Sequence, residues 1–574
     1  MSRKSSGVFM LDYGAGNVRS LVNAVNRMGY DISVISTPQD FAKAEKIIFP
    51  GVGAFGSGMA SLRAKGLEQP LREYLASGRP FMGICIGMQS LFASSEENPG
   101  VSGLGLIDFP ITRFSSDAGN GAVKTVPHMG WNAAATVDGP LDYVNHDGED
   151  SRYYFVHSFA AIVPKSSESV SKEQQHLLPG GWTCTLTTYQ NETFISSVKR
   201  GNVFATQFHP EKSGSAGLKL LASFLEVNPA NFTQPTPPTT FPLIKSVPDH
   251  LSRRIIACLD VRTNDAGDLV VTKGDQYDVR ETTGSKNVRN LGKPVTLSAT
   301  YFQQGADEIT FLNITSFKGS VLADDAMLEV VSRASECVFV PLTVGGGIRD
   351  LVDATTGKIT ATALEVAAEY FRSGADKVSI GSDAVYAAEA FYKNGNRGDG
   401  SSSIEQISKV YGAQAVVISV DPKRVYVKSV EEANGHAVVR VGDKDIGPNG
   451  ETLAWYQCTV KGGREARDVD VKQLVVACEA LGAGEILCNC MDKDGTNSGF
   501  DHALLKLVKD NVRIPVIASS GAGKVEHFTE VFQATNVEAA LAAGIFHRNE
   551  VKISDVKDEL RKNGFESRRM DVAL

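Results

Sequence analysis

Residues 343–348 read TVGGGI and are followed by KVSIGS at 377–382, while residues 517–523 read IASSGAG and are followed by AALAAGIF at 539–546. Each pair joins a short apolar run to a glycine-rich or small-residue turn. Asp260 and Asp421 each end a further apolar run, one ahead of each pair. Similarity between any one pair of such turns can arise by chance, but three matches in the same order indicate a duplicated unit.

Around this repeat, the second part of the chain contains eight apolar runs typical of strands, most of them separated by helical patterns. Eight strand–helix units in about 250–320 residues predict a (β/α)8 barrel, with the repeat as two half-barrels. A longer segment, 422–468, follows the fifth run and contains further strand-like stretches over the barrel mouth. The predicted barrel strands are 254–261, 308–314, 338–346, 377–382, 415–421, 485–492, 514–521 and 539–546.

The first part of the chain also alternates strands and helices. Residues 17–29, NVRSLVNAVNRMG, carry apolar side chains at helical spacing between two of the strand-like runs. The alternation predicts an open, largely parallel α/β sheet. The strand-like runs are GVFMLDY (7–13), DISVIS (31–36), KIIFPG (46–51) and PFMGICIG (80–87).

A proline-rich segment separates the two parts. Residues 228–250, NPANFTQPTPPTTFPLIKSVPDH, hold six of the 22 prolines, which is typical of a semi-stiff linker. We therefore expect an open α/β domain at 1–227, a linker at 228–250 and a barrel at 251–574.

Composition excludes several classes of protein. The net charge of −8 and the lack of a Lys/Arg-rich tract argue against a nucleic-acid partner. No apolar run approaches the roughly 18–20 residues of a membrane-spanning helix, and the first residues do not form a signal peptide. The eight scattered cysteines predict reduced thiols in a cytoplasmic protein. Glycine is abundant, with 55 residues, which favours tight turns and phosphate-binding loops.

A cysteine nucleophile is the first chemical feature. Residues 83–87, GICIG, follow a strand and precede a segment at 89–97 that we predict to be helical. Glycines flanking a nucleophile permit the sharp turn that exposes it at a helix N-terminus. His209 and Glu211, in the sequence FHPE, supply a base and a group that orients it. The loop 50–53, PGVG, offers backbone N–H groups for an oxyanion.

Each of these segments alone could be a structural turn, but together and in this order they resemble the class I glutamine amidotransferases, whose domains are flavodoxin-like. The resemblance implies a Cys85–His209–Glu211 triad, with Gly53 near the oxyanion hole and Gln89 near the bound glutamine. For His157, in YYFVHSF, we favour a structural or interface role.

Two carboxylates form the second chemical feature. Asp260 and Asp421 end the first and fifth predicted barrel strands, so they face each other across the mouth where active sites of such barrels lie. A facing pair suits general acid–base chemistry, although aspartates that cap loops are the competing interpretation.

Glycine- and serine-rich turns near the same mouth predict two phosphate sites, one in each half-barrel. Two sites imply a long substrate with a phosphate at each end. Lys273 is a candidate cation over the mouth, and a solvated loop lysine is an equally good interpretation. The candidate phosphate contacts are Gly346, Gly347, Gly381 and Ser382 in the first half, and Gly495, Thr496, Ser520 and Gly521 in the second.

The blocks ACLDVR, VVTKGDQYD, TVGGGIRD, KVSIGSDAV, GAQAVVISVD, DGTNSGFD and IASSGAG resemble the cyclase barrels of imidazole glycerol phosphate synthases. A glutaminase fused ahead of this barrel is similar to the bifunctional form of fungi and plants. A related isomerase shares the half-barrel pattern but does not normally carry a fused glutaminase. The resemblance implies that ammonia from glutamine attacks phosphoribulosylformimino-aminoimidazole carboxamide ribotide. Imidazole glycerol phosphate and aminoimidazole carboxamide ribotide result, with Asp260 and Asp421 as the acid–base pair and without a metal or organic cofactor.

Charged residues open four of the predicted barrel strands at the bottom of the barrel. Such charges could be solvated, or they could point inward and pair with one another. The resemblance implies a salt-bridge ring where ammonia enters, made of Arg254, Glu308, Lys377 and Glu485. We therefore expect the glutaminase mouth to dock on the barrel bottom, in a chain that needs no second subunit and is a monomer. The segment 128–132 is expected near that interface, although its His128 stands where a Glu is more usual.

Two other functions remain open from the sequence. The barrel could aminate a different sugar phosphate, but two phosphate sites and the Asp260/Asp421 pair disfavour a monophosphate substrate. A non-catalytic fusion that binds glutamine and a phosphorylated metabolite is disfavoured by an intact nucleophile, base and acid.

Overall fold

The structure, a computed structural model, describes residues 4–14, 16–119, 123–136, 151–164, 178, 181–227, 247–263, 269–272, 293–314, 325–353 and 355–570. The chain divides into two compact units, the first made mainly of Met1–Ser252 and the second mainly of Arg253–Lys409 and Ala413–Met570. The predicted linker lies outside the described residues except for 247–250. In the part of the chain that is described, no helix combines the length and the apolar character needed to cross a membrane.

The first unit contains an eight-stranded sheet, in the order β2-β1-β3-β4-β13-β12-β11-β8. Its strands and those of two smaller sheets are β1 (Lys4–Leu11), β2 (Tyr30–Ile35), β3 (Lys46–Phe49), β4 (Phe81–Ile84), β5 (Phe92–Ser95), β6 (Ile107–Arg113), β7 (His128–Asn132), β8 (Ala135–Thr136), β9 (Tyr153–His157), β10 (Phe159–Ala160), β11 (Thr183–Tyr189), β12 (Glu192–Arg200) and β13 (Val203–Thr206). The helices are α1 (Arg19–Arg27), α2 (Asp40–Lys43), α3 (Phe55–Ala64), α4 (Glu68–Ala76), α5 (Ile86–Gln89) and α6 (Gly214–Glu226).

The parallel part of this sheet holds the candidate glutaminase residues. Strands β2, β1, β3, β4 and β13 pair in parallel, whereas β12, β11 and β8 extend the sheet antiparallel. Every residue of β3 and β4 is buried, as expected for parallel strands with helices on both faces.

The helix predicted at 89–97 is wrong. Helix α5 ends at Gln89, and Phe92–Ser95 is strand β5, which pairs in parallel with β6. Phe92 is fully buried opposite Ile107 in that pairing. Tertiary burial of the strand therefore overrides the helical pattern.

The second unit is a closed barrel, so the predicted fold class is confirmed. Its eight parallel strands are β14, β16, β17, β20, β21, β26, β27 and β28, and β14 pairs with β28 to close the circle. The strands of this unit are β14 (Arg254–Thr263), β15 (Leu269–Thr272), β16 (Glu308–Asn313), β17 (Leu342–Gly345), β18 (Leu351–Val352), β19 (Ile359–Ala361), β20 (Lys377–Ile380), β21 (Val416–Val420), β22 (Pro422–Val427), β23 (Val438–Arg440), β24 (Leu453–Val460), β25 (Glu465–Asp470), β26 (Glu485–Asn489), β27 (Val516–Ser519) and β28 (Ala539–Ala542).

Helices follow most of the barrel strands. They are α7 (Pro294–Gln303), α8 (Asp325–Ala334), α9 (Ala363–Ser373), α10 (Ser382–Lys393), α11 (Ser403–Tyr411), α12 (Val471–Ala480), α13 (His502–Lys509), α14 (Val525–Thr535), α15 (Gly544–His547) and α16 (Ile553–Lys562). Local sequence sets their ends: α9 begins after a capping box of Thr362 and Glu365, and Gly374, with φ 115°, caps it after Ser373.

Seven of the eight predicted barrel strands are longer than the observed ones, and the third, seventh and eighth deviate most. The third begins at Leu342 rather than 338, and the eighth ends at Ala542 because Gly544 already starts helix α15. In the 422–468 segment, the predicted strands form a small antiparallel sheet of β22, β24, β23 and β25. We call this sheet the insertion.

Candidate functional site

The turn around Cys85 requires its two glycines. Cys85 has φ 51° and ψ −104°, between the end of β4 and the start of α5. A Cβ added to Gly87 would lie 2.0 Å from the Phe49 carbonyl oxygen, and one added to Gly83 would lie 2.7 Å from the backbone of Gly87. Only glycine therefore lets the turn pack this closely, and the non-glycine left-handed residue at its apex is the cysteine itself.

Strand pairing brings the base to the nucleophile. Strand β13 pairs with β4 so that Thr206 lies opposite Ile84, and the Cys85 N–H donates to the Thr206 carbonyl at 2.7 Å. His209 lies three residues after Thr206, with its Nδ1 2.8 Å from Glu211 Oε1. Burial alone would lower the pKa of His209, but the Glu211 carboxylate and the Cys85 sulfur raise it to about 10. Cys85, His209 and Glu211 thus form one buried cluster.

Two glutamine side chains complete this cluster, and one of them escaped sequence reasoning. Gln207 Nε2 donates to Cys85 Sγ at 3.4 Å, and Gln89 Nε2 donates to Gln207 Oε1 at 3.1 Å. Gln207 is fully buried and directly follows β13, so its only sequence signal was a polar residue just beyond the strand beside the nucleophile. The Gln89 amide oxygen is buried and has no hydrogen-bond partner among the described residues.

The PGVG loop packs on the residue that follows the nucleophile. A Cβ on Gly51 would lie 2.4 Å from Ile86 Cβ, and Gly53 has φ 136°. The Tyr13 hydroxyl donates to the Val52 carbonyl at 3.0 Å and fixes the loop. This geometry places loop and nucleophile side by side.

His128 and His157 lie in an aromatic cluster inside the first unit. His128 Nδ1 is 3.2 Å from His157 Nε2, and the His128 ring stacks on Tyr189 at 4.3 Å. Burial lowers the pKa of both rings, that of His157 to about 3. Neutral, buried and stacked rings fit the structural interpretation of His157.

The mouth of the barrel contains a cavity of about 430 Å³ that both candidate carboxylates line. Seven of the eight predicted phosphate contacts also line it: Gly346, Gly347, Gly381, Ser382, Gly495, Ser520 and Gly521. Thr496 is not among the lining residues, because its hydroxyl turns back to donate to the Lys493 carbonyl at 2.8 Å. Lys273 lies outside the described residues.

The two half-barrels match in backbone conformation as well as in sequence. Gly346 and Gly347 have φ 98° and 78°, and their counterparts Ser520 and Gly521 have 72° and 98°. Gly381, before α10, has φ −105° and ψ −97°, close to the −125° and −76° of Ala543 before α15. The repeated turns therefore present their peptide groups to the cavity in the same way.

Asp421 is held by a residue that sequence reasoning missed. Asn489, at the end of β26, donates from Nδ2 to Asp421 Oδ1 at 3.0 Å. Burial raises the pKa of Asp421, the Asn489 hydrogen bond opposes this rise, and the nearby Asp494 adds to it. The only sequence signal for Asn489 was a polar residue at the end of a barrel strand.

The four charged strand-start residues form a closed ring. Arg254 contacts Glu308 Oε1 and Glu485 Oε1, each at 2.6 Å. Lys377 contacts the second oxygens of the same two carboxylates at 2.6 and 2.7 Å. None of the four side chains is more than 2% exposed, and the two cations hold the pKa of Glu308 below its usual value against the effect of burial. We call this set the ion-pair ring.

Comparison with known proteins finds a matching family for each of the two units. The glutamine amidotransferase class-I family model matches residues 9–227, and the histidine biosynthesis protein model matches residues 254–552. The chain is 54% identical to the imidazole glycerol phosphate synthase hisHF of Schizosaccharomyces pombe, with 96% of this chain and 98% of the relative covered. Identity is 53% to the hisHF of Emericella nidulans (98% and 99% covered) and 52% to the chloroplastic hisHF of Arabidopsis thaliana (99% and 90% covered). The predicted family is thus confirmed: the chain belongs to the imidazole glycerol phosphate synthase hisHF family, in which a class I glutamine amidotransferase domain precedes a histidine biosynthesis barrel.

Proposed function

We propose that the chain hydrolyses glutamine at Cys85 and uses the ammonia at the barrel mouth. There it converts phosphoribulosylformimino-aminoimidazole carboxamide ribotide into imidazole glycerol phosphate and aminoimidazole carboxamide ribotide. The proposal depends most on one observation: a buried Cys–His–Glu cluster and a cavity with two facing aspartates and duplicated glycine turns occur in one chain.

In the glutaminase step, Cys85 Sγ attacks the side-chain amide carbon of glutamine. His209 takes the thiol proton and returns it to the departing ammonia, which leaves a glutamyl thioester. Water, activated by His209, then releases glutamate and regenerates the thiol. Glu211 stabilises the imidazolium at each stage, in accordance with the raised pKa of His209.

Backbone N–H groups are suited to stabilise the oxyanion of this step. The residue after a nucleophile at such a turn commonly contributes its N–H, and here that residue is Ile86. Gly53, in the adjoining loop, supplies the second donor in this proposal. Gln207, which donates to the sulfur, stabilises the thiolate before attack.

In the cyclase step, Asp421 and Asp260 exchange protons with the substrate as ammonia replaces the ketone oxygen with loss of water. Ring closure on the formimino carbon then breaks its C–N bond to aminoimidazole carboxamide ribotide, which leaves. Because burial raises the pKa of Asp421, this side chain is assigned the general acid, and Asp260 is assigned the base. Asn489 positions Asp421 through its hydrogen bond. The two sets of turns bind the two phosphate groups and hold the reacting centre between the carboxylates.

The ion-pair ring is assigned as the entrance for ammonia at the strand starts. Its four charges satisfy one another inside the barrel, so opening it requires only a rearrangement of partners. Ammonia is small and neutral and can pass where a hydrated ion cannot.

A cytoplasmic, monomeric chain completes the proposal. All eight cysteines are free and seven are buried, which suits a reducing compartment. Light scattering should give a mass near 61.4 kDa, and twice that mass would contradict the monomer. A fluorescent fusion tests the compartment, which is of interest because the Arabidopsis relative is named chloroplastic.

The function is tested by supplying the purified chain with glutamine and the bisphosphate and quantifying glutamate and both barrel products by chromatography. Equal amounts of the three are expected. Glutamate release without either barrel product would contradict the proposal.

A further inference from the structure

The tip of one hairpin of the insertion reaches the barrel mouth. Residues 461–464, Lys-Gly-Gly-Arg, join β24 to β25, and Lys461, Gly462 and Gly463 have φ 56°, 67° and 81°. Three successive left-handed residues make the turn tight. Lys461 and Gly462 line the same cavity as the two aspartates.

The tip is attached to the first-half phosphate turn. The Lys461 N–H donates to Ser382 Oγ at 2.8 Å, and Ser382 is the first residue of α10. A Cβ built on the neighbouring Gly381 meets no atom within 4 Å, so space for a ligand remains there. Ser379 Oγ, on a side chain that is 2% exposed, lines this part of the cavity and has no hydrogen-bond partner among the described residues.

Lys461 is a cation at this tip whose present partner, Glu465, is also paired with a second cation. Lys461 Nζ lies 2.7 Å from Glu465 Oε2, and Arg467 contacts the other oxygen of Glu465 at 2.8 Å. Arg467 also binds Glu389 on α10 with two contacts, at 2.8 and 2.9 Å. If Lys461 turned toward the cavity, Glu465 would stay paired with Arg467 and the hairpin would stay attached to α10.

We propose that Lys461 is a substrate-binding residue, whose ammonium leaves Glu465 and pairs with the phosphate group held at Gly381 and Ser382. The inference rests on the proposed function, since it assumes a bisphosphorylated substrate in this cavity. The insertion thereby adds a positive charge beside the turns of the first half, where Arg349 also lines the cavity. Because the contact is made to a non-reacting end of the substrate, its loss weakens binding more than the chemical step.

The test is steady-state kinetics of the ammonia-dependent cyclase, which bypasses glutamine, for wild type, K461R, K461M and K461E. K461M should raise KM for the bisphosphate about tenfold and change kcat less than about twofold, as for loss of one charge-assisted contact. K461R should keep a KM for the bisphosphate near that of wild type. K461E should raise this KM more than K461M does. K423M removes an exposed lysine of the same insertion that does not line the cavity, and it should match wild type.

Two failures are distinguishable. If wild type turns over the bisphosphate but K461M has the KM of K423M, Lys461 does not bind the substrate. If wild type shows no turnover with ammonia, the proposed function itself is wrong and the inference falls with it.

Discussion

The two candidate sites use different means to do chemistry. In the first unit, three side chains from neighbouring segments form one cluster, and the Glu211 carboxylate and the Cys85 sulfur together raise the pKa of His209. In the barrel, Asp260 and Asp421 lie on different halves, and duplicated turns of small residues line the same cavity in each half. In the first site, where side chains share a proton, we expect that substitution of any one of them abolishes most of the activity. In the barrel site, where the residues are spread over two halves, we expect substitutions to affect substrate binding and the chemical step separately.

The largest effect is expected at the nucleophile. C85A removes the sulfur that forms the thioester, so glutamine-dependent synthesis should fall at least about 10⁴-fold. With ammonium supplied at alkaline pH, the same variant should still cyclise the bisphosphate at close to the wild-type rate. Loss of both activities in a folded C85A protein would show that the two sites are not separable.

E211Q tests whether the triad acts as a unit. Glutaminase activity should fall about 10³-fold, because the carboxylate no longer stabilises the imidazolium. In the wild type, the raised pKa of His209 keeps the imidazolium present below about pH 10 and loses it as the pH rises through that value. The alkaline limb of kcat/KM should therefore move to lower pH in E211Q. An unchanged limb would contradict the assigned role of Glu211.

D421N tests the divided barrel site. Ammonia-dependent cyclisation should fall about 10²–10³-fold through the loss of a general acid. Glutamine hydrolysis measured without the bisphosphate should stay within about twofold of wild type, since the aspartate lies in the other unit. Wild-type cyclisation by D421N would remove Asp421 from the mechanism. N489A should cause a smaller loss of cyclisation rate, because Asn489 only positions Asp421.

Loss of a charge from the ion-pair ring should lower the free energy of unfolding. K377M leaves Glu308 and Glu485 each with one cation fewer in a fully buried site, which should cost about 3–5 kcal/mol in the free energy of unfolding. K506M, which removes an exposed pair with Asp510 on α13, should change it by less than about 1 kcal/mol. Urea denaturation measures the free energy of unfolding of both variants. Equal stability of the two variants would mean that the ring is solvated.

The lowered pKa of Glu308 makes the stabilisation by the ion-pair ring depend on pH. Because that pKa is lowered in the folded chain, the ring's stabilisation is present above the ordinary value of 4.5 and is lost as the pH falls below it. The stability gap between wild type and K377M should therefore narrow in acid. A gap that is constant with pH would contradict an ionised Glu308.

The barrel, the sheet of the first unit and the proximity of Cys85, His209 and Glu211 were predictable because glycine spacing and apolar periodicity are local. Gln207 and Asn489 were not, since their contacts depend on which strands lie side by side. The helix predicted at 89–97 failed for the same reason: burial of Phe92 against Ile107 is a tertiary effect. Likewise, the apparent phosphate contact Thr496 is turned away by a hydrogen bond within its own loop.

The central claim is that one chain moves nitrogen from glutamine into the barrel product, and isotope transfer tests it most directly. Wild type is given glutamine labelled with ¹⁵N in the side-chain amide, the bisphosphate and an excess of unlabelled ammonium at neutral pH. Mass spectrometry should find the label in imidazole glycerol phosphate, with one glutamate per product. Glutamate formed while the product carries only unlabelled nitrogen would contradict the account.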